Sequence, residues 1–142
     1  MNGEREMRTE KKRGIVSSEG QPREIRARSF AYALRAVKLY QHLQKQRDGA
    51  SWLLGKQYLR AACSIGANIE EAQASESRPD FIHKLGIAQK EARESLFWLR
   101  VLSEAQIVSK SKLKPLMQET DELVSVITSI VVNSKKRQRH TS

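Results

Sequence analysis

Apolar residues recur at spacings of three and four along most of this chain, and polar punctuation divides them into four runs. In the first run Phe30, Ala33, Leu34, Val37, Tyr40 and Leu43 fall at helical spacing, with Ser29 placed to cap the N-terminus. Lys45 to Gly49 is a break, and Asp48-Gly49 is a turn signal. The second run starts after Ser51. Leu54, Tyr58, Ala62, Ile65, Ile69 and Ala72 form one stripe there, beside the small residues Ala61, Gly66 and Ala67. A glycine inside a helix costs up to about 1 kcal/mol against alanine, which predicts a packing reason for Gly66.

Ser75 to Arg78 is the next break, and Pro79 and Asp80 suit the first turn of a third helix running to about Gln106. Its stripe is Phe81, Leu85, Ala88, Ala92, Leu96, Leu99 and Leu102. A fourth helix, capped by Ser109 or Ser111 with Pro115 in its first turn, carries Leu113, Leu116, Met117, Leu123, Ile127, Ile130 and Val131. The β-branched residues Val124 to Val132 keep the spacing of three and four and belong to that helix. Short connections between amphipathic helices predict an all-α fold, an antiparallel up-down four-helix bundle over residues 29–132. Residues 1–28, charged and poor in apolar anchors, predict a disordered tail. Residues 133–142 form a basic C-terminal tail.

The third helix holds more apolar surface than a monomeric bundle needs. At about 100° per residue, Ile87, Trp98 and Val101 project away from the main stripe, on a face shared with Glu91 and Glu94. A tryptophan among carboxylates on the outside of a bundle points to a subunit interface. The second helix carries a polar stripe, Arg60, Ser64, Asn68 and Glu71, at spacings that share one face. Facing another helix or subunit, these groups can form a hydrogen-bond network that sets register, with Glu91 and Glu94 as candidate partners of Arg60.

The chain has 142 residues, which fits one domain, and a net charge of +10. The charge is concentrated at the ends: residues 1–28 carry +3, residues 29–132 carry +3 and residues 133–142 carry +4. Lys135, Lys136, Arg137 and Arg139 are the densest cluster, and Arg35, Lys38, Lys84, Lys90 and Arg93 could extend it as a surface track. Such charge favours contacts with nucleic-acid phosphates, RNA or DNA, over sequence readout, because few aromatic residues are available for base stacking.

Catalytic signals are missing. The 7 glycines are scattered, with no phosphate-binding loop. His42, His83 and His140 stand far apart and form no zinc pattern with the single cysteine, Cys63, which reads as a packing residue. The Glu70/Glu71 and Glu91/Glu94 pairs lie on helices, where salt bridging or solvation outweighs glycosidase-type chemistry. No enzyme, metal or cofactor is expected. The absence of a long apolar run and of a signal peptide, with only one cysteine, fits a cytoplasmic protein with no membrane association.

The run Arg60-Ala-Ala-Cys-Ser64-Ile65-Gly-Ala-Asn68-Ile69-Glu70-Glu71-Ala72 resembles the R-A-x-x-S-I-x-x-N-I-x-E-(A/G) signature of the four-helix-bundle proteins related to those encoded in 23S rRNA intervening sequences. The similarity continues through Arg78, Phe81, Leu85, Ile87-Ala88 and Glu94, and reaches Arg28-Ser29-Phe30 and Val37-Lys38-Leu39-Tyr40. It implies a bundle that assembles as a ring-like homopentamer. A related branch, the accessory variability determinant of diversity-generating retroelements, is a basic pentamer that binds a reverse transcriptase and nucleic acid. The expected function is therefore a non-enzymatic oligomer associating with RNA or DNA. The alternative is a protein-interaction adaptor, for example an accessory subunit to such a reverse transcriptase.

Overall fold

The computed structural model describes residues 21–141; the tail expected over residues 1–20, and Ser142, lie outside the described residues. Four helices make up the fold: α1 (Gln21–Gln44), α2 (Gly49–Gln73), α3 (Arg78–Glu104) and α4 (Lys110–Thr141). Among the described residues there is no strand.

The ends of the helices follow local hydrogen bonding. Asp48 caps α2: its side chain accepts from the Ala50 N–H at 3.1 Å. The helix thus begins before Ser51, whose buried hydroxyl instead donates to Asp48 at 3.0 Å and Gln46 at 3.1 Å. Ser77 caps α3 by accepting from the Asp80 N–H at 3.2 Å, with Pro79 in the first turn. At the other end of α3, Gln106 takes a positive φ of 59°. Its N–H donates to the Ser103 carbonyl and that of Ile107 to the Leu102 carbonyl, each at 3.0 Å. This is the paired Schellman closure, here with glutamine where glycine is usual. The Ser109 carbonyl receives the Lys112 and Leu113 N–H groups, so α4 starts at Lys110 and Pro115 sits further inside than the first turn.

Two expectations about α1 are corrected. The helix begins at Gln21 rather than Ser29, so residues 21–28 are helical. Ile25 is buried in the core there, and Arg28 bridges to Glu119 at 3.0 Å and Glu122 at 2.7 Å, two anchors that a disordered tail would lack. Ser29 is no cap; its buried hydroxyl donates to the Arg26 carbonyl at 3.1 Å. The buried face of α1 is also different. Ile25, Ser29, Tyr32, Ala36 and Leu43 face the core, whereas Phe30 is 66% and Leu34 51% exposed. Small residues on the inner face let α1 lie close to α2. A Cβ on Gly55 would stand 2.8 Å from Leu43 Cδ1, and one on Gly66 would stand 3.4 Å from the Ser29 carbonyl oxygen. Gly55 rather than Gly66 makes the closer approach, and a methyl there would have to displace the buried Leu43 side chain.

The basic tail is corrected as well. Residues 133–141 continue α4 without a break. No proline or glycine follows Pro115, and the run lacks any acidic residue near the negative helix end, where Arg139 and His140 stand in the last turn.

The core contains Leu85, Leu99, Leu102, Leu113, Leu123 and Ile127 around one polar chain. Tyr58 donates to Tyr32 at 2.9 Å, Tyr32 lies 2.6 Å from Thr120 Oγ1, and Thr120 donates to the Leu116 carbonyl at 2.7 Å. Because Thr120 spends its proton on Leu116, Tyr32 donates to Thr120 and Tyr58 to Tyr32, so every proton in the chain has an acceptor. Burial raises both phenols above the ordinary tyrosine pKa, and for Tyr58 its neighbour Tyr32 adds to the shift.

Candidate functional site

The polar stripe on α2 meets α3. Arg60 donates to Glu94 Oε1 at 2.7 Å and approaches Glu91 at 3.7 Å, and the Trp98 indole N–H donates to the same Glu94 oxygen at 3.2 Å. The Arg60 bond holds Glu94 below the usual carboxylate pKa. Glu91 moves the other way, because burial outweighs the attraction of Arg60, and its buried Oε2 has no hydrogen-bond partner. Asn68 donates within α2 to the Ser64 carbonyl at 2.8 Å and to its hydroxyl at 3.2 Å, and Glu71 pairs with Lys84 at 2.9 Å. Arg60 and Glu71, the ends of the stripe, thus brace α2 to α3, while Ser64 and Asn68 between them bond to each other. Glu91 and Glu94 share one arginine, with Glu94 taking the shorter contact.

Trp98 is half-buried against the core, and Phe97 beside it is 55% exposed, the rings meeting edge to face at 5.0 Å. Leu53 on α2 is 63% exposed. The larger apolar surface was not anticipated. Phe30, Leu34 and Val37 form a stripe along the outside of α1, and Phe30 and Ala33 line a shallow cleft with Cys63 and Ala67 of α2, closed at one end by the Arg26–Glu70 pair at 2.9 Å. Cys63 is half-buried and its thiol pKa is pushed up by burial, the opposite of what a nucleophile needs.

The nine candidate cations separate into groups. Lys135, Lys136 and Arg139 are exposed on the last turns of α4, and at 100° per residue they share one outer quadrant. Arg137 turns elsewhere: it lines a cleft with Ser75, Ser77, Arg78 and Phe81 at the start of α3. Lys84 is committed to Glu71. Lys90 and Arg93 lie exposed on α3, away from the other groups in sequence.

Arg35 and Lys38 join two residues that sequence reading missed. With His42 and Lys112 they rim a groove of about 360 Å³ between α1 and the start of α4, floored by Leu39, Val108, Leu113 and Leu116. A sequence signal for it exists: no acidic residue occurs from Ile25 to Arg47 or from Ala105 to Gln118. Charge averaged over the whole body hides these two acid-free runs. Among the described residues no cluster of metal-ligating side chains occurs, and no helix is long and apolar enough to cross a membrane.

Comparison with known proteins agrees with this architecture. No curated protein matches the chain. A crystal structure of a protein of unknown function from the S23 ribosomal protein family of Bacteroides thetaiotaomicron is 34% identical, with a TM-score of 0.74, over 78% of this chain and 97% of that one. The profile of the 23S rRNA-intervening sequence proteins matches residues 22–129, a span that reaches into all four helices, contains the Arg60–Glu71 stripe and stops before the basic end of α4. The chain therefore belongs to the 23S rRNA-intervening sequence protein family.

Proposed function

We propose that this protein is a non-enzymatic, cytoplasmic scaffold: an up-down bundle that assembles as a ring-like homopentamer and binds RNA or DNA through the end of α4. The observation that carries the nucleic-acid reading is the exposed quadrant of Lys135, Lys136 and Arg139, borne on a helix whose last 19 residues, Leu123 to Thr141, contain no acid. Backbone phosphates match such a surface, and nothing on it reads base edges. The up-down order is supported by head-to-tail pairing. Arg26 near the start of α1 meets Glu70 near the end of α2, and Gln89 in the first half of α3 meets Thr128 in the second half of α4. Self-assembly is supported by large apolar side chains on the outside of the bundle, the Phe30/Leu34/Val37 stripe on α1 together with Leu53 on α2 and Phe97 on α3, which a second copy would cover.

Fluorescence anisotropy with short RNA and DNA duplexes tests the binding. Lys135→Glu, Lys136→Glu and Arg139→Glu together, or truncation after Val132, should abolish tight binding. On duplex DNA the logarithm of affinity should fall against the logarithm of salt with a slope of roughly 3 per engaged helix end, one for each of the three cations. An affinity indifferent to salt, or unchanged by truncation, rules the interface out. The exposed apolar faces also favour the adaptor reading, in which a protein partner, such as a reverse transcriptase, covers them. Co-purification of a partner that survives nuclease treatment would select that reading.

A further inference from the structure

The groove between α1 and the start of α4 combines an aliphatic floor with a cationic rim. Leu39, Leu113 and Leu116 make most of the floor, and Arg35, Lys38 and Lys112 stand over it. None of these three cations forms an ion pair among the described residues, whereas Arg26, Arg28, Arg60 and Lys84 each do. The acid-free runs on both walls explain why: the nearest carboxylate along α4 is Glu119, and it is held by Arg28.

The chemistry of the groove selects among anions. Inorganic phosphate would use the rim and leave the floor wet. A nucleobase would seek a broad aromatic face to stack on; no Phe, Tyr or Trp lines the groove, and its one ring, His42, stands on the rim. An aliphatic chain ending in an anion uses both parts. From Arg35 to His42 the α1 wall rises by seven residues, which makes the groove about 10 Å long, and its 360 Å³ equals the liquid volume of about a dozen waters.

We propose that this groove binds a free single-chain anionic amphiphile, a fatty-acid-like carboxylate, with its head among Arg35, Lys38 and Lys112 and its tail on the leucine floor. The proposal goes beyond the nucleic-acid reading and does not depend on it, because its probes contain no nucleic acid.

The test is calorimetric titration of the full chain with sodium decanoate below its micelle-forming concentration. Saturable binding of one decanoate per chain is expected. Octanoate should bind about tenfold more weakly, since each buried methylene is worth roughly three- to fourfold. The exposed pair Lys38→Glu and Lys112→Glu should weaken decanoate binding by at least about tenfold while the helical circular dichroism is unchanged. Decyltrimethylammonium, with the same tail and the opposite charge, should not bind. The proposal is overturned if decanoate does not saturate, if the cationic amphiphile binds equally well, if octanoate and inorganic phosphate match decanoate, or if only phosphatidylglycerol vesicles bind.

Discussion

Removing the hydroxyl of Tyr32 should cost far more than removing that of Tyr58, although both are fully buried tyrosines in one hydrogen-bond chain. Tyr58 is the first donor. Tyr58→Phe deletes one neutral hydrogen bond and leaves Tyr32 still donating to Thr120, a loss of about 1 kcal/mol. Tyr32 is the middle member. Tyr32→Phe deletes two bonds and strands the Tyr58 hydroxyl in the core with no acceptor. One net bond plus a buried unsatisfied donor amounts to about 2–4 kcal/mol. The double variant removes the stranded group, so it should be at least as stable as Tyr32→Phe alone, a coupling of about 1–2 kcal/mol between the sites. Urea unfolding followed by far-ultraviolet circular dichroism, at one fixed protein concentration so that any assembly contributes equally, measures all three. If Tyr58→Phe is as costly as Tyr32→Phe, or if the two losses simply add, the inferred direction of the protons is wrong.

Alkali should unfold the protein through the same pair. Both phenols have raised pKa values in the folded state, so above about pH 10 the unfolded chain loses their protons first. Their contribution is complete below that pH and falls as pH rises, by about 1.4 kcal/mol per pH unit for each tyrosine; urea midpoints between pH 9 and 12 should show the decline, and Tyr32→Phe should flatten it. Gly86→Ala should stabilise the monomer fold by about 0.5–1 kcal/mol, since nothing lies within 4 Å of the added methyl. Gly55→Ala should destabilise by about 1–2 kcal/mol, because the methyl meets Leu43; thermal melts of the two variants in opposite directions check both. Gln106→Gly should raise stability by about 0.5–1 kcal/mol in the same assay by relieving the left-handed backbone.

The two central helices, α2 and α3, could be read from local chemistry. Pro79 marks a real helix start, the Asp48-Gly49 turn stands directly at another, and the stripe Leu85, Ala88, Ala92, Leu99 and Leu102 of α3 is buried as its spacing predicts. The Arg60 braces to Glu91 and Glu94 were also legible, since charge and helical phase bring them together. The orientation of α1 was not. Its large apolar residues Phe30, Leu34 and Val37 lie on one side, and Ile25, Tyr32 and Ala36 on the other. Side-chain size favours the first side; the buried Tyr32 hydrogen bonds and the close approach at Gly55 select the second. Those terms involve Thr120, Tyr58 and Gly55, partners on other helices, so no window along α1 contains them. The α1/α4 groove was hidden for the same reason: Arg35 and Lys112 become neighbours only through folding.

Because Lys135, Lys136 and Arg139 stand on a continuous helix, the spacing of their backbone positions is fixed before any polyanion arrives, which is preorganisation for the proposed binding. A flexible basic arm would lose backbone freedom at each residue it ordered on a polyanion, whereas this helix has lost it during folding. Affinity for a polyanion should therefore depend on helical continuity as well as on charge. Ser134→Pro, which leaves every cation in place, should weaken binding nearly as much as removing one of them.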